Sequence, residues 1–397
     1  MPASLSPRVF QERVDRMHVL LTGATGLLGQ YLLRDLLRAG QPVAVLIRAR
    51  QNQSPRARLE QVLSFWERQM GRSLPRPALL EGDIRQAGLG LSAPDRRWVA
   101  SHCASVLHNA ASLTFVGPDR RGEPWRSNCA GTAQVLAFCR NARLRELHYV
   151  STAYVCGKRT DTVREDELER GQQFRNSYEE SKFEAEKLLR SAAFVDSLTV
   201  YRPTVLIGDS RTGFTATYHG IYLYMQFLSL LVRFLPRDAD GRVHCPLRLN
   251  LTGHEHHNFV PVDWVAAVIA HVFRHREKHG RCYHLTSPQP VLAREVYELF
   301  VRHFNIYGPR YVGPGGLDPA GMNELEKMFY EYVSRYEDYW TGEPVFDCSN
   351  TLAAAPHLPC PALDEARWRR LVQFAVRDRF GKGRGKSAAK ARPRGLS

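Results

Sequence analysis

Short apolar runs rich in β-branched residues alternate with amphipathic stretches through residues 17–205. The runs predict six strands: MHVLLTG, PVAVLIR, ALLEGD, ASVLHNAA, ELHYVST and LTVYRP. Helical periodicity between the runs predicts helices near residues 27–39, 55–70, 92–102, 125–140 and 178–194. Strands that alternate with helices are typical of βαβ units, so the pattern predicts an α/β fold with a doubly wound parallel sheet.

The alternation weakens after residue 205. An apolar segment, GIYLYMQFLSLLVRFL, occupies residues 220–235, and a further helix is predicted from about residue 263 to residue 275. We expect a smaller, mostly helical region for substrate binding over residues 206–380. Parts of it, such as residues 258–270, are expected to pack back on the first domain.

Positive charge is concentrated at one end of the chain. The formal net charge is +15, and the tail GKGRGKSAAKARPRGLS (residues 381–397) carries six Lys or Arg and no acid. We interpret this tail as a solvated, disordered end, while attraction to an acidic carrier protein, an anionic membrane surface or nucleic acid stays open. The tail has no aromatic residues for base stacking, so no specific nucleic acid partner is expected. Residues 1–16 are expected to form an N-terminal arm.

The sequence favours a cytoplasmic location. No apolar run reaches the roughly 20 residues that a membrane helix needs, and MPASLSPRVFQERVDR lacks the apolar segment of a signal peptide. The eight cysteines form no C-x-x-C pair, so neither a zinc site nor a disulfide framework is indicated. HEHH at 254–257 is not H-E-x-x-H, and His271 with His275 lacks an identifiable third ligand, so we predict no metal.

A glycine-rich turn, TGATGLLG at residues 22–29, follows the first strand and opens the first helix. Gly23 permits a tight turn, Gly26 lets backbone N–H groups approach a pyrophosphate, and Gly29 allows close packing of helix and strand. The helix N-terminus then faces the negative charge. Strand, glycines and helix stand in the required order, which favours a dinucleotide site over a turn without a ligand. The other residues predicted to bind the cofactor in this turn are Thr25, Leu27 and Leu28.

The end of the second strand bears on the choice of cofactor. An acidic residue there would bind the ribose hydroxyls of NAD, whereas an arginine pairs with the 2′-phosphate of NADP. Arg48 occupies this place, with Arg50 just beyond it, so we predict NADPH (NADP). The alternative is that these arginines only lie on an exposed loop and bind no ligand. Asp83 and Ile84 close the third strand, where the adenine ring is expected.

Tyr178 and Lys182 lie four residues apart in NSYEESKFEAEKLLR, residues 176–190. They share one face of the predicted helix, so one bound molecule can touch both side chains. Ser177 is expected to cap this helix, with Glu180 returning the bond. The segment by itself also describes an ordinary charged surface helix.

Several separate stretches together resemble an extended short-chain dehydrogenase/reductase, and within that family the acyl-thioester reductase branch that includes fatty acyl-CoA reductases. The matching stretches are TGATGLLG, Gly82-Asp83, HNAA, Asn128 with Gly131 and Thr132, VSTAYVCG, Tyr178-x-x-x-Lys182, YRPTVLIGDSRTG and VPVDWVA. They cover roughly residues 17–290. The resemblance implies a Rossmann NADP-binding domain over residues 17–205.

The resemblance also implies a catalytic set, Thr152, Tyr178 and Lys182. A carbonyl that receives a hydride needs a hydrogen-bond donor and then a proton, which Tyr178 would supply. The ammonium of Lys182 and the oxidised nicotinamide would lower the pKa of Tyr178, and Lys182 would also bind the ribose hydroxyls. Thr152 would position the substrate oxygen, while Ser151 is expected to point elsewhere because side chains alternate along a strand.

Other residues near the cofactor follow from the same resemblance. Pro203 is implied to lie against the nicotinamide, and Ala110 and Ala111, after Asn109 in HNAA, to give the cofactor room over the fourth strand. The cofactor residues here are therefore Asn109, Ala110, Ala111 and Pro203. Asn128 is either part of a proton relay or a helix-packing amide. We interpret His108 as a core histidine.

The expected function is NADPH-dependent reduction of an acyl thioester, as acyl-CoA or carrier-bound, or of its aldehyde, to aldehyde or alcohol. Ala153-Tyr154 stands where dehydratases carry Asp-Glu, which argues against elimination of water. The partners would be an acyl or carbonyl substrate and coenzyme A or an acyl carrier protein. Residues 220–235 either line an acyl channel or form a buried cap helix. Two alternatives stay open: a ketone reductase or secondary alcohol dehydrogenase on a lipid, polyketide or nucleotide sugar, and a non-catalytic NADP sensor.

Overall fold

A computed structural model describes residues 17–115, 117, 119–340 and 342–382 in two compact units. The first unit runs to Thr204 and also includes Asp263–Thr286 and Phe346–Pro359. The second unit consists of Val205–Val262, Ser287–Val345 and residues 360–382. The predicted arm, residues 1–16, and residues 383–397 of the predicted tail lie outside the described residues.

The described chain forms short strands and medium-length helices. The strands are β1 (His18–Thr22), β2 (Val43–Ile47), β3 (Ala78–Glu81), β4 (Cys103–His108), β5 (Glu146–Val150), β6 (Ser197–Pro203), β7 (Val205–Ile207), β8 (Val243–His244), β9 (Arg248–Leu249), β10 (His256–His257), β11 (Phe259–Pro261), β12 (Cys282–Leu285), β13 (Val291–Leu292), β14 (Ile306–Tyr307) and β15 (Arg310–Tyr311). The α-helices are α1 (Leu27–Arg38), α2 (Pro55–Met70), α3 (Ala93–His102), α4 (Gly131–Ala142), α5 (Ser177–Arg190), α6 (Ile221–Phe234), α7 (Val262–Arg274), α8 (Ala293–Phe304), α9 (Glu324–Val333), α10 (Ser349–Ala354) and α11 (Glu365–Arg377). Within the described residues, none of the helices combines the length and the apolar composition that spanning a membrane requires.

Seven parallel strands form the central sheet, in the order β12-β6-β5-β4-β1-β2-β3. The chain builds outward from β1 to β3 and then crosses back to place β4 on the other side of β1. Such a reversal leaves a crevice at the carboxyl ends of β1 and β4, where doubly wound sheets bind ligands. The predicted doubly wound sheet and its six strands are confirmed. The seventh strand, β12, is not among the predicted ones.

The first unit is held together by apolar strands covered by helices. All five residues of β2 are buried, as expected for a parallel strand with helices on both faces. The first helix, α1, covers the sheet with its apolar face, including Tyr31, Leu32 and Leu36 at 0% exposure. This packing fixes the start of α1, and with it the glycine turn, at the carboxyl end of β1.

The helix that carries Tyr178 and Lys182, α5, begins at Ser177, one residue earlier than predicted. Asn176 is the cap, because its side chain accepts a hydrogen bond from the Glu179 N–H. The predicted cap, Ser177, is therefore wrong, and Ser177 is instead the first helical residue. Asn and Ser both suit a cap, and the extended backbone of Asn176 decides between them.

The second unit has its own apolar core. One face of α6 packs against α8, α9 and α11, and burying that face places Tyr222 and Met225 in this core. The apolar segment predicted over residues 220–235 is thus a core helix of the second unit. Its last residue, Phe234, is 83% exposed.

The predicted division at residue 205 lies beside the observed boundary between Thr204 and Val205. Residues 263–270, expected to pack back on the first domain, belong to the first unit, and so do 271–286 and 346–359, which the sequence assigned to the second region. The reason is that β12 extends the central sheet beside β6, which brings α7 and α10 with it. Residues 258–262, expected to return to the first domain, stay in the second unit, where β11 pairs with β7.

Candidate active site

The glycine turn after β1 is built from close backbone approaches. Gly23 has φ +74°, and a Cβ added there would lie 2.8 Å from the backbone of Ala110. A Cβ on Gly29 would lie 2.0 Å from the carbonyl oxygen of Gly23, which no side chain can tolerate. A Cβ on Gly26 meets only the Gly23 oxygen, at 3.4 Å. Gly23 and Gly29 are therefore required by packing, whereas the space beside Gly26 is open to a ligand.

The start of α1 offers backbone donors to that space. The first turn of a helix has N–H groups without intrahelical partners, and the first intrahelical bond here runs from the Gln30 N–H to the Gly26 carbonyl. Leu27 and Leu28 bury their side chains in the core, at 9% and 5% exposure, so only their backbones can serve a cofactor. This arrangement suits an anionic group such as a pyrophosphate.

The end of β4 packs directly on this turn. The hydroxyl of Thr22 accepts hydrogen bonds from the N–H groups of Asn109 and Ala110, each at 3.1 Å. The side chain of Asn109 donates to the Gly23 carbonyl at 3.3 Å, and Ala111 is exposed. Behind them His108 is 2% exposed and bonds to hydroxyls on both sides, which fits its interpretation as a core histidine.

Three arginines converge beside the turn. The buried Arg58, on α2, donates to the hydroxyl of Thr25 at 2.6 Å and to the carbonyl of Arg48 at 2.7 Å. Burial and the charges of Arg50 and Arg48 lower the pKa of the Arg58 guanidinium. Arg48 itself is 46% exposed and lines a cleft with residues 49–53. The cluster concentrates positive charge where the second strand ends.

Asp83 and Ile84 lie at the end of β3, on the same side of the sheet. Arg85 binds the carboxylate of Asp83 through Nε and Nη2, the shorter contact being 2.6 Å, and Arg48 lies 3.9 Å away. Burial would raise the pKa of Asp83, but the hydrogen bonds and charge of Arg85, with that of Arg48, hold it below its usual value. Ile84 is 8% exposed, and its contact with adenine stays a prediction.

Tyr178 and Thr152 lie close together, Tyr178 at the start of α5 and Thr152 just after β5. The Thr152 hydroxyl donates to the carbonyl of Pro203 at 3.3 Å and accepts the N–H of Tyr154 at 3.3 Å. Burial raises the pKa of the Tyr178 phenol well above its usual value, although the nearby Thr152 hydroxyl acts in the opposite direction. The expectation that Lys182 lowers the pKa of Tyr178 therefore finds no support in the protein alone. The phenol is a protonated donor at neutral pH.

Lys182 is buried beneath Tyr178. Its ammonium donates to the carbonyl of Val150 at 2.7 Å and lies 4.1 Å from the centre of the Tyr149 ring. Burial lowers the pKa of Lys182 to about 7, although the charge of Glu186 acts in the opposite direction. Tyr178 and Lys182 lie one helical turn apart on α5, as the spacing predicts, and the contact of Lys182 with a ribose stays a prediction.

A buried network of charged side chains lies next to Lys182. Glu186 and Arg202 are both fully buried, with their closest oxygen and nitrogen 2.6 Å apart. Glu186 also accepts the hydroxyl of Ser151 at 2.8 Å, so Ser151 points away from the Thr152 side, as expected. Arg202 donates to Nε2 of His284, whose Nδ1 donates to the carbonyl of Asp347. The network ties α5, β5, β6 and β12 together directly behind Lys182.

Asn128 lies in a single π turn, Arg126–Ala130, before α4. Its oxygen accepts the Ser112 N–H at 2.7 Å, and its amide donates to the Ser112 carbonyl and the Ser181 hydroxyl. These bonds occupy the amide in holding the loop after β4 against α5. Of the two interpretations of Asn128, the structure favours the helix-packing amide.

The supporting residues were not predicted. Arg58 has no motif around it, and only folding of α2 brings it to Thr25, 33 positions away. Arg202 carries a usable signal, because a charged residue in the apolar run LTVYRP must find a partner if that strand is central. Glu186 lies four residues after Lys182, on the same face of the helix.

Comparison with known proteins bears on the family of this chain. Residues 21–269 match the NAD-binding family described as Male sterility protein. The chain is 30% identical to aldehyde reductase lnaA of Aspergillus flavus over 406 residues, covering 90% of this chain. It is 28% identical to the non-canonical nonribosomal peptide synthetase FrzA of Cladobotryum sp. over 397 residues, again covering 90% of this chain. The chain spans only 36% of the length of each of these two relatives.

Among solved structures, the chain resembles the terminal R domain from the myxalamid PKS-NRPS biosynthetic pathway. The TM-score is 0.72 at 28% identity, over 93% of this chain and 92% of that one. The parallel sheet and glycine turn of this chain, with the family match over more than half of its length, lead to one assignment. The chain belongs to the male sterility protein family and is an NAD(P)-binding oxidoreductase of the extended short-chain dehydrogenase/reductase type.

Proposed function

We propose that the chain is an NADPH-dependent reductase that converts a carrier-bound acyl thioester to an aldehyde, or further to an alcohol. The observation that carries this proposal is that Tyr178 lies close to Thr152, with Lys182 one helical turn further along α5, at the carboxyl ends of β5 and β6. The glycine turn lies at the carboxyl end of β1 in the same parallel sheet. A dinucleotide bound along the carboxyl ends of these strands would span both sites.

The choice of NADPH rests on the arginine cluster. Arg48 and Arg50 line an open cleft at the end of β2, and the carboxylate in that cleft, Asp83, is already bound by Arg85. The exposed guanidinium of Arg48 is therefore suited to a phosphate group. Arg58, fixed by Thr25, adds a positive charge behind it. These residues would hold the 2′-phosphate of NADPH.

NADPH, when bound, supplies the hydride for the carbonyl carbon. Tyr178 donates its proton to the carbonyl oxygen as negative charge develops there, and Thr152 holds that oxygen in place. One hydride and one proton convert the thioester to a hemithioacetal, and breaking its C–S bond releases an aldehyde and a free thiol. A second hydride and proton convert the aldehyde to an alcohol. The raised pKa of Tyr178 keeps the phenol protonated for this role.

The substrate class is carried over from similar proteins. The myxalamid domain is a terminal R domain of a PKS-NRPS pathway, and we infer for this chain an acyl group held on a carrier as a thioester. The net charge of +15 suits the phosphates of a phosphopantetheine arm or an acidic carrier surface. Acyl-CoA shares that arm and is the simplest substrate to test.

The test is NADPH oxidation with a panel of acyl-CoA and acyl-pantetheine thioesters, followed by identification of the products. We expect aldehyde or alcohol, with free thiol released in the first reduction. Ketones, secondary alcohols and nucleotide sugars form the second panel. Turnover of that panel alone would reject the thioester proposal and favour the ketone reductase.

Matched tyrosine variants make the test specific. Tyr178→Phe is expected to retain NADPH binding and lose turnover by about 10²- to 10⁴-fold, the usual contribution of a general acid. Tyr307→Phe, at a partly exposed tyrosine in the second unit, is the control and should keep full turnover. Equal turnover of the two variants would exclude Tyr178 as the acid. NADPH binding by the unaltered chain without turnover of either panel would leave an NADP-sensing role as the better account.

A further inference from the structure

Three metal-ligating side chains meet at the opposite end of β5 from Thr152. They are Glu146 and His148, on β5, and His279, which follows a short turn after α7. A ligand atom from each lies within 4.8 Å of those from the other two. His148 is fully buried, and the side chains of His279 and Glu146 are 7% and 19% exposed. All three belong to the first unit.

Both rings approach the same carboxylate oxygen. Nδ1 of His279 lies 3.3 Å from Oε1 of Glu146, and Nε2 of His148 lies 3.5 Å from it. A good N–H···O hydrogen bond is about 2.7–3.2 Å long, so both contacts are long for one. Ligands at about 2.0–2.1 Å from a tetrahedral Zn²⁺ are separated by about 3.3 Å, which is close to both distances.

The tautomer of His279 leaves two hydrogen-bond acceptors facing each other at this point. Nε2 of His279 faces the carbonyl oxygens of Val272 and Phe273 at 3.2 and 3.0 Å, so it carries a proton. A neutral imidazole has one N–H, and Nδ1 therefore turns a lone pair toward the carboxylate of Glu146. Two acceptors facing each other repel unless a cation lies between them. That cation is either a metal ion or a second proton on His279.

Partners outside the cluster orient all three candidate ligands. Nδ1 of His148 contacts the hydroxyl of Tyr201 at 3.0 Å, and Nε2 of His279 is held by the two carbonyls. Arg276 binds Oε2 of Glu146 at 2.8 Å, which leaves Oε1 turned toward the rings. Metal-binding histidines and carboxylates usually have such outer partners, which fix their orientation. Arg276 is 41% exposed, so water screens its charge.

We propose that Glu146, His148 and His279 form a structural site for a divalent transition metal, with Zn²⁺ as the ion that best suits two imidazoles and one carboxylate. A water molecule completes the tetrahedron. The ion ties the beginning of β5 to the segment that leads from α7 into β12. The site is independent of the reductase chemistry, because it lies at the other end of the strand.

Cobalt is the probe for this site, since tetrahedral Co²⁺ absorbs visible light strongly and Zn²⁺ does not. The full chain is freed of metal with a chelator and titrated with Co²⁺, and Zn²⁺ is then added in competition. We expect one tetrahedral Co²⁺ per chain, its displacement by Zn²⁺, and a higher unfolding temperature with Zn²⁺. Absorption from thiolate-bound Co²⁺ would identify binding by cysteines instead and would overturn the proposal.

Variants assign the binding to these residues. His279→Gln and Glu146→Gln should each weaken Co²⁺ binding by more than about tenfold. His254→Gln, at an exposed histidine in the second unit, is the control and should bind as the unaltered chain does. Equal affinity in His279→Gln and His254→Gln would overturn the proposal. So would the absence of a tetrahedral signal in the unaltered chain, a result that needs no variant and leaves the second proton as the explanation.

Discussion

Glu186 and Arg202 form an ion pair in which both side chains have 0% exposure, with an oxygen and a nitrogen 2.6 Å apart. Burial would raise the pKa of Glu186, but the charge and hydrogen bonds of Arg202 lower it to about 2. Glu186 lies one helical turn beyond Lys182, and Arg202 directly precedes Pro203. The pair therefore joins α5, which carries Tyr178 and Lys182, to β6, which ends at Pro203.

Removing one partner of this pair should be costly. Glu186→Gln leaves Arg202 without a counter-charge in the interior, and we expect the free energy of unfolding to fall by about 3–5 kcal/mol. Urea denaturation measures it. Glu365→Gln is the control, because Glu365 and Arg369 form a similarly close pair, 2.8 Å apart, but both side chains are more than half exposed. That change should cost less than about 1 kcal/mol, and similar losses in the two variants would contradict a special role for the buried pair.

The pKa of Lys182 predicts how stability depends on pH. Burial lowers that pKa to about 7, so above this pH the folded protein holds Lys182 neutral while the unfolded chain still binds the proton. Stability rises with pH wherever the unfolded state binds more protons. We expect the unaltered chain to gain stability relative to Lys182→Met between about pH 7 and the ordinary lysine pKa near 10.4. Urea unfolding of both proteins across this range measures the difference in the free energy of unfolding. If that difference does not change with pH, the pKa of Lys182 is not lowered in the folded protein.

Two glycines of the turn should respond differently to alanine. In Gly29→Ala the methyl group would lie 2.0 Å from the Gly23 oxygen, so α1 must shift and the unfolding temperature should fall clearly. In Gly26→Ala the methyl meets only one atom, at 3.4 Å, and φ is −80°, so the fold should tolerate it. We expect Gly26→Ala to weaken dinucleotide binding because the methyl enters the open space. Calorimetry for stability and fluorescence titration with NADPH separate the two effects, and normal NADPH affinity in Gly26→Ala would place the cofactor elsewhere.

The arginine cluster predicts discrimination between the two nicotinamide cofactors. Arg48→Gln removes the exposed guanidinium and should raise the Kd for NADPH by about tenfold or more, with little effect on NADH, since only NADPH has the 2′-phosphate. Arg97→Gln, at an exposed arginine on α3, is the control for the loss of one positive charge. Equal weakening of NADPH and NADH by Arg48→Gln would mean that Arg48 does not contact the 2′-phosphate.

Local pattern was sufficient for much of the first unit. The period of apolar residues predicts β1 to β6 and α1 to α5 to within a few residues, because that period depends only on neighbours in the same element. The same holds for TGATGLLG, where the turn demands glycine at Gly23 and Gly29. The four-residue spacing of Tyr178 and Lys182 likewise places both on one face of α5.

Tertiary structure alone decided the remaining features. Arg58 reaches Thr25 across 33 positions, Glu186 reaches Arg202 across 16, and Glu146 meets Arg276 across 130. Such pairs depend on which strands become neighbours in the sheet, and no local period encodes that order. The four residues of β12 show the same limit, since they join the sheet only because β6 offers a free edge. The sequence by itself thus determined most elements of the first unit and the candidate catalytic residues, whereas the folded sheet determined the charged side chains that pack around those residues.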